Sequence, residues 1–579
     1  MNTLIGAVSQ HHAGALLSRA LSHLPENPYF FGLAYNLADD IDVYRSNSYP
    51  QNTPTFNVGL ACASLYKHNS SPILFRDRLT ISLTGCIENT EALQNKLRSL
   101  GYEQVIKSHE ELIATLIDWY DRVHKDLNMA FQLALSEAQG FFAVAAFKRA
   151  RHDFLLCGSR GPSLYLGQGS DGSYFSTDPA LIRERASLLI ELKDGEFAEL
   201  NSQHIACFNA DGKAIKKDPV PAHAAGYFAH HMLADIETQP RVLAELVRHY
   251  QNDTLADYLT ELGCGHQFER VLMLASGSSH HAATSARYWI EQIAGLPVQV
   301  EYGSEYRFLP NILQANTLLI AISQSGETAD TIASLRHAIQ LGHHHTLAIT
   351  NQADSTLAKL AAHQIGQHAG KEIGATSTKT FTTQLMCLYF VALKLAQGKH
   401  ISTASADREL QLLPRAVADT LKLSIPLKNW ALQLAKVSNL FMVGRNAHFP
   451  IALEAAQKMK EVAYLHAEGY LGGELKHGPV TLIDRTVPVI ACLPWDLMAE
   501  KTLANLQEVR ARQGELFVLS DVGLSSSDGF NFIHMPQKLP HLNPILYTVA
   551  FQLLSYFTAL TRGNNVDSPR NISKTIDIE

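Results

Sequence analysis

Two short segments put hydroxyl side chains where a phosphate could be held. Ser276-Gly277-Ser278-Ser279 follows the apolar run Arg270 to Ala275, and Ser323-Gln324-Ser325-Gly326-Glu327-Thr328 follows the apolar run Thr317 to Ile322. In both places helix-forming sequence comes next. A helix start offers free N–H groups and a positive dipole end, which together hold an anion. Serine and threonine add donors without adding charge, and Gly326 allows the backbone to come close. Ser and Thr also cap helices generally. Two such turns in one α/β unit, one with five hydrogen-bonding side chains in six residues, favour a phosphate or sugar site over capping alone. Other phosphate signatures fail. No G-x-x-x-x-G-K-[ST] occurs, and the one G-x-G-x-x-G, Gly167 to Gly172, leads into the β-like run Ser173 to Ser176, which makes it a hairpin turn.

A second group has the types needed for proton transfer. Glu454, Lys458 and Glu461 stand at i, i+4 and i+7 on one helix face, and His477 follows sixteen residues after Glu461. Carboxylate, amine and imidazole can open a sugar ring and move a proton between adjacent carbons. The same spacing also describes a salt-bridged surface helix with an unrelated loop histidine, and spacing alone leaves both readings open. Twenty-seven histidines show no H-E-x-x-H, so no metal is expected, and the triplet His343 to His345 reads as a solvated turn before a strand. Seven cysteines without a C-x-x-C read as reduced thiols of a cytoplasmic protein.

These groups need elements to position them. Up to about residue 215, short β-like runs (Phe56 to Ala63, Leu79 to Leu83, Gly140 to Phe147, Phe154 to Cys157, Ser173 to Ser176, Ala198 to Phe208) mix with helices at Glu91 to Leu100 and Ser108 to Trp119, predicting an α+β domain with stacked sheets. The polar stretch Asp211 to Ala225 reads as a linker. From about 262, apolar strands alternate with longer helices, the pattern of a parallel sheet buried on both faces. The pattern recurs from about 432, with Leu410 to Leu434 as a helical connection. The run Ile545 to Leu560 is 16 residues long and contains Gln552, Ser555 and two threonines; a span needs about 20 apolar residues, so a buried core helix is expected. Met1 to Ala7 lacks a basic n-region and a long apolar run, so no signal peptide is expected. The chain has 579 residues, 46% of them apolar and 18% charged, which is enough for about four folded units at roughly 150 residues each. With 48 basic and 55 acidic residues the net charge is −7, so neither nucleic acid nor a membrane is an expected partner.

Longer matches then point to a family. Ser323 to Thr331, Glu372-Ile373-Gly374, Ser377-Thr378-Lys379, Phe381 to Leu385, His466-Ala467-Glu468, Gly473 to Pro479, and Asp567-Ser568-Pro569-Arg570-Asn571 with Lys574 resemble the isomerase half of the glutamine–fructose-6-phosphate aminotransferase (isomerising) family, also called glucosamine-6-phosphate synthases. The resemblance implies two sugar-isomerase (SIS) domains, each a flavodoxin-like α/β/α sandwich, at 262–400 and 432–570. Between them 401–431 connects, and 571–579 closes the sugar site. Ser323, Gln324, Ser325 and Thr328 with Ser279 would hold the sugar phosphate. Ser278, Ser377 and Ser573 would line the sugar. Glu461 would shuttle the proton between C1 and C2, Lys458 would support it, His477 from a neighbouring subunit would assist ring opening, and Lys574 would form the Schiff base. The implied partners are a fructose-6-phosphate-like sugar and a second copy in a homodimer; no cofactor is implied.

The first third resembles the family's class II glutamine amidotransferase domain over 1–215, followed by a linker and helical segment at 216–261. The fold matches are Gly6-Ala7, Gly85 with Ile87-Glu88-Asn89, Glu111 to Ala114 and Ser176 to Leu181. The chemical groups are lost. Asn2 stands where the family has its N-terminal cysteine nucleophile, Ser64-Leu65 replaces an Arg-Trp pair, Thr84 replaces the oxyanion-hole Asn, and His109 replaces the Asp that binds the glutamine amino group. The expectation is a ketose-phosphate aminotransferase or isomerase that uses free ammonia or none. The alternatives are an isomerase or deaminase on a related amino-sugar phosphate, and a non-catalytic sugar-phosphate-sensing paralogue.

Overall fold

A computed structural model describes residues 3–9, 12–22, 30–37, 40–46, 55–64, 71–102, 106–149, 151, 153–183, 185–186, 188–221, 228, 230–265, 267–310, 312–523, 530–536 and 539–572. The chain divides into two compact units, a front one of residues 1–228 with 247–254 and a back one of 229–246 with 255–579.

In the front unit two mostly buried sheets, of eight and seven strands, stack face to face. The strand Thr3–Ser9 is buried along its whole length because both of its faces are covered. Leu4 and Val8 point to Ala143, Ala145 and Phe147 of the second sheet, whereas Ile5 and Ala7 meet Ala13 and Leu17 of the helix Ala13–Ser22. Period-two alternation sends successive side chains to opposite faces. The outer face of the second sheet is covered by α1 (His109–His124) and the helix Leu127–Glu137. α1 starts where it does because Ser108 accepts the Glu111 N–H at 3.2 Å while Glu111 accepts the Lys107 N–H at 2.7 Å. The layers therefore run helix, sheet, sheet, helices.

The back unit opens with α2 (His231–Glu237) and holds two five-stranded parallel sheets. The first runs 298–302, 270–275, 317–322, 346–350, 363–366; the second runs 466–471, 439–444, 489–493, 516–520, 531–534. Numbered within each copy, both orders are 2-1-3-4-5, so the repeat expected from element order is a repeat of topology. Around the sheets lie α3 (Gly277–Trp289), α4 (Lys379–Gly398), α5 (His448–Ala463) and α6 (Asn543–Thr561). By length and composition α6 could cross a membrane, but 83% of its apolar window is buried inside the protein. The helices Ala404–Leu421 and Ser424–Leu434 connect the two copies.

Several expected elements differ. The segment Ala198 to Phe208 is a hairpin of Phe197–Leu200 and Ile205–Phe208, turned at Asn201, whose Oδ1 accepts the N–H groups of Gln203 and His204 at 2.9 and 2.7 Å. The expected linker contributes the short strands Ala214–Ile215 and Val220–Pro221 to the front sheets. The hairpin formed by Gly167 to Gly172 is present, between Leu164–Gln168 and Gly172–Ser176. His343 is not solvated: it is buried beside a cavity of about 500 Å³ at the amino ends of the first parallel sheet. Only His344 and His345 are exposed.

Candidate functional site

In a 2-1-3-4-5 sheet the chain reverses its winding direction between strands 1 and 3, and the loops after them separate to leave a crevice. Those loops here are Ser276 to Ser279 and Ser323 to Thr328. Ser276 and Thr328 are the N-cap residues of α3 and of the helix Ala329–Gln340, yet neither makes a side-chain capping bond. The turn is braced from within. Ser323 Oγ accepts the Gly326 N–H at 3.0 Å and contacts Thr328 Oγ1 at 2.8 Å, and Ser325 Oγ accepts the Glu327 N–H at 3.1 Å. The Gln324 carbonyl accepts the Asn351 N–H at 3.0 Å. Gly326 has φ +69°, and a Cβ there would meet Ser355 Oγ at 2.1 Å. The acid of this turn points elsewhere: Glu327 accepts the Thr356 N–H at 2.8 Å, and that bond holds its carboxyl below the ordinary range.

Two further serines are fixed by buried neighbours. Ser279 Oγ accepts from Gln384 of α4 at 3.0 Å. Ser377 Oγ contacts Thr380 Oγ1 at 2.7 Å, and Glu372 holds Thr380 Oγ1 at 2.7 Å and the Thr378 N–H at 2.9 Å. The loop before Ser377 is pinned by Asp235 of α2, which pairs with the buried Lys379 at 3.0 Å and accepts the N–H groups of Ile373 and Gly374 at 3.1 and 3.0 Å.

The face of α5 turned toward α3 carries Glu454, Lys458 and Glu461. Lys458 and Glu454 are each 2% exposed, which removes the surface-helix reading of the 454–458–461 spacing. Lys458 lies 3.3 Å from Glu454 Oε1 and also contacts Glu461 Oε2. Burial alone would drive its proton off, but Glu454 and Glu461 outweigh that and raise its pKa, so it stays a cation. Glu454 is likewise opposed by burial, and Lys458, His281 and Ser278 together bring it below the ordinary carboxyl value. Ser278 Oγ donates to Glu454 Oε1 at 3.0 Å, and His281 Nδ1 lies 2.9 Å from Oε2. The remaining carboxylate, Glu461, keeps 19% of its side chain open and is held by Gln457 Nε2 at 2.7 Å. A fixed, reachable carboxylate beside a permanent cation can accept and return a proton.

The other expected residues are not all in one place. His477 ends the 3₁₀ turn Gly472–His477, is exposed, and makes no side-chain hydrogen bond among the described residues. Ser573 and Lys574 lie outside the described residues. The segment leading to them is anchored beside α5: the Arg570 N–H donates to Tyr464 Oη at 2.8 Å, and its guanidinium lies 4.3 Å from that ring's centroid. Asp567 accepts the N–H groups of His231 and Met232 at 2.9 Å each. Sequence alone assigned no individual role to Gln384, Gln457, Glu372 or Asp235, and read the pair His280-His281 behind the serine turn only as a sign of a changed sugar phosphate. Their partners are 6 to 173 positions away, apart from the local Gln457 pair, and no local spacing signals them.

In the front unit Thr84 is buried in the strand Leu79–Ile87, just before Gly85 at φ +100°. His109 is 7% exposed, and its Nδ1 accepts the Ile87 N–H at 3.3 Å. Burial, then the nearby Arg248, push its pKa down to about 3, so it is neutral. Arg248 is paired with Glu110 at 2.9 Å. Ser64 ends the strand Val58–Ser64; Asn2 and Leu65 lie outside the described residues.

Two parallel 2-1-3-4-5 sheets in tandem, with hydroxyl turns at the switch point, define a double sugar-isomerase protein, and the SIS domain family matches residues 266–394 and 433–562. The C-terminal domain of glucosamine-fructose-6-phosphate aminotransferase from Francisella tularensis is 35% identical, covers 59% of this chain and 98% of its own, and superposes with a TM-score of 0.55. A glutamine–fructose-6-phosphate aminotransferase (isomerising) from Acidithiobacillus ferridurans is 37% identical over 88% of this chain and 86% of its own length. One from Xanthomonas campestris is 38% identical over 86% and 84%. The chain belongs to the glutamine–fructose-6-phosphate aminotransferase (isomerising) family.

Proposed function

We propose that the back unit handles fructose-6-phosphate or a close relative, moving its carbonyl between C2 and C1 and placing an amino group there when ammonia is supplied, and that the front unit does not hydrolyse glutamine. The products would be glucosamine-6-phosphate, or glucose-6-phosphate by isomerisation alone. The observation that carries this is Glu461: a solvent-reachable carboxylate fixed by Lys458 and Gln457, on a helix packed against α3, which carries Ser278 in its first turn. In this reading Ser323, Ser325 and Thr328, with Gln324 and Ser279, hold the phosphate. Ser377, Ser278 and Ser573 surround the sugar. Lys574 condenses with the ketose carbonyl and Glu461 carries the proton between the two carbons. His477, exposed on its own chain, reaches the pocket of a second copy, which requires a homodimer.

The front unit argues against a nitrogen supply from glutamine. Position 2 is an asparagine, and a carboxamide cannot replace a thiolate nucleophile. A buried neutral imidazole at 109 cannot pair with the ammonium of an amino acid.

The test uses the purified full chain with fructose-6-phosphate and either ammonium or glutamine. Hexosamine phosphate or aldose phosphate is expected without glutamate release. Tight sugar-phosphate binding with no product at high enzyme concentration would convert the reading to that of a sensor. The variant Asn2→Cys, with its initiator methionine removed, is expected to stay without glutaminase activity, since Leu65, Thr84 and His109 remain.

A further inference from the structure

The buried carboxylate of Glu454 accepts from two helices at once. Among the described residues, Oε1 takes Ser278 Oγ at 3.0 Å and Lys458 Nζ at 3.3 Å, and Oε2 takes His281 Nδ1 alone, at 2.9 Å. Among the described residues, Lys458 is the ammonium that serves both acids, Glu454 and Glu461. We propose that His281 is a positioning residue for proton transfer: by occupying Glu454 Oε2 it sets how Lys458 is shared between Glu454 and Glu461, and thereby how readily Glu461 takes up a proton. The role given to Glu461 rests on the sugar-phosphate reading above.

The reasoning is one of donor supply. A buried carboxylate oxygen stripped of its hydrogen bond is costly, and a nearby mobile donor will fill the gap. The donor at hand is Lys458, on a flexible four-carbon stem. If it turns further toward Glu454, Glu461 retains only the neutral amide of Gln457, at 2.7 Å. A carboxylate that loses an adjacent cation becomes easier to protonate. Among the described residues few other charges face this exchange. On α3 itself, His280 lies 6.4 Å from His281 between ring centroids. It stacks on Tyr302 of the strand Val298–Tyr302 at 3.6 Å, and burial, then His281, bring its pKa down to about 4, so it adds no charge. From α4 the contact to the start of α3 is the neutral Gln384. On the remaining sides of α5, α6 brings Tyr547 against His448, whose pKa burial pulls down to about 3 so that it too is neutral, and the strand His466–Leu471 carries Glu468, already tied to His466 and Tyr470.

The experiment compares the wild-type chain with His281→Ala and His281→Asn, the second restoring a donor that does not titrate. In His281→Ala the acidic limb of the kcat profile is expected to move up by about 0.5–1 pH unit, with KM for fructose-6-phosphate within about twofold. In His281→Asn it should return toward wild type. His281→Met replaces His281→Ala if that variant does not fold. A limb that stays put in the donor-free variant, or shifts as far in His281→Asn, overturns the proposal; a packing role alone would lower thermal stability without moving the limb. A second readout does not need turnover: 13C titration of the glutamate carboxyls, with Glu461 assigned through Glu461→Gln. If wild type turns over no ketose phosphate, the sugar-phosphate reading fails. The titration still decides the linkage, which stands if Glu461 titrates higher in His281→Ala and falls if it does not.

Discussion

Lys458 shows how much one buried cation can decide. It lies between two carboxylates at 2% exposure, where an unpaired charge could not be tolerated. Replacing it by methionine keeps the volume but leaves Glu454 as an uncompensated buried anion. Breaking such a pair costs about 3–5 kcal/mol, so Lys458→Met should lower the denaturant midpoint of the back unit markedly, more at pH 8 than at pH 5, where Glu454 can take a proton. Glu461→Gln is different in kind. The side chain keeps its shape and its contact with Gln457, so the fold and sugar-phosphate affinity should hold. Product formation should drop by about 10²–10⁴-fold, the range for losing a positioned acid-base group. Steady-state kinetics alongside calorimetric binding separates the two effects.

At the level of elements, the hydroxyl turn after the strand Thr317–Ile322 has its backbone held by its own serine side chains. Ser323 caps the Gly326 N–H, and Gly326 sits at a positive φ against Ser355. Gly326→Ala should disrupt both features, since its methyl would meet Ser355 Oγ at 2.1 Å and the conformation is strained for any L-residue. The expected result is at least a tenfold weaker affinity for fructose-6-phosphate by calorimetry, with the far-UV spectrum unchanged. The same dependence on position appears in α2, a seven-residue helix whose Asp235 secures the loop before Ser377 while its first N–H groups hold Asp567 of the tail.

For the molecule as a whole, each unit contains a histidine folded away in its neutral form. His109 in the front unit and His448 in the back unit both have pKa values lowered from 6.5 to about 3, by burial and, for His109, also by Arg248. The unfolded chain binds a proton below pH 6.5, whereas the folded chain does not until about pH 3. Stability is therefore present above that window and is lost as pH falls through it. From pH 7 to pH 5 each histidine should remove about 2 kcal/mol. Hydrogen exchange of peptides from α1 and α5 should follow this slope, and His109→Gln should flatten it in the front unit only.

The sequence alone fixed what depends on short range. Alternating apolar strands and longer helices located the paired α/β copies, the serine turns marked the strand ends, and the 454–458–461 spacing put three groups on one face. The edge strands Val298–Tyr302, His363–Gly366 and Asn531–His534 escaped notice because edges are short and half-solvated, which weakens their apolar signal. Burial was decided only by the fold. The same Glu-Lys-Glu spacing suits a salt-bridged surface, and it became a buried ion cluster because α5 packs on α3 and brings Ser278 and His281, more than 170 positions away, onto Glu454. Periodicity records which face of a helix is apolar or charged, but what covers that face is set by chain segments too distant in sequence to leave a local trace.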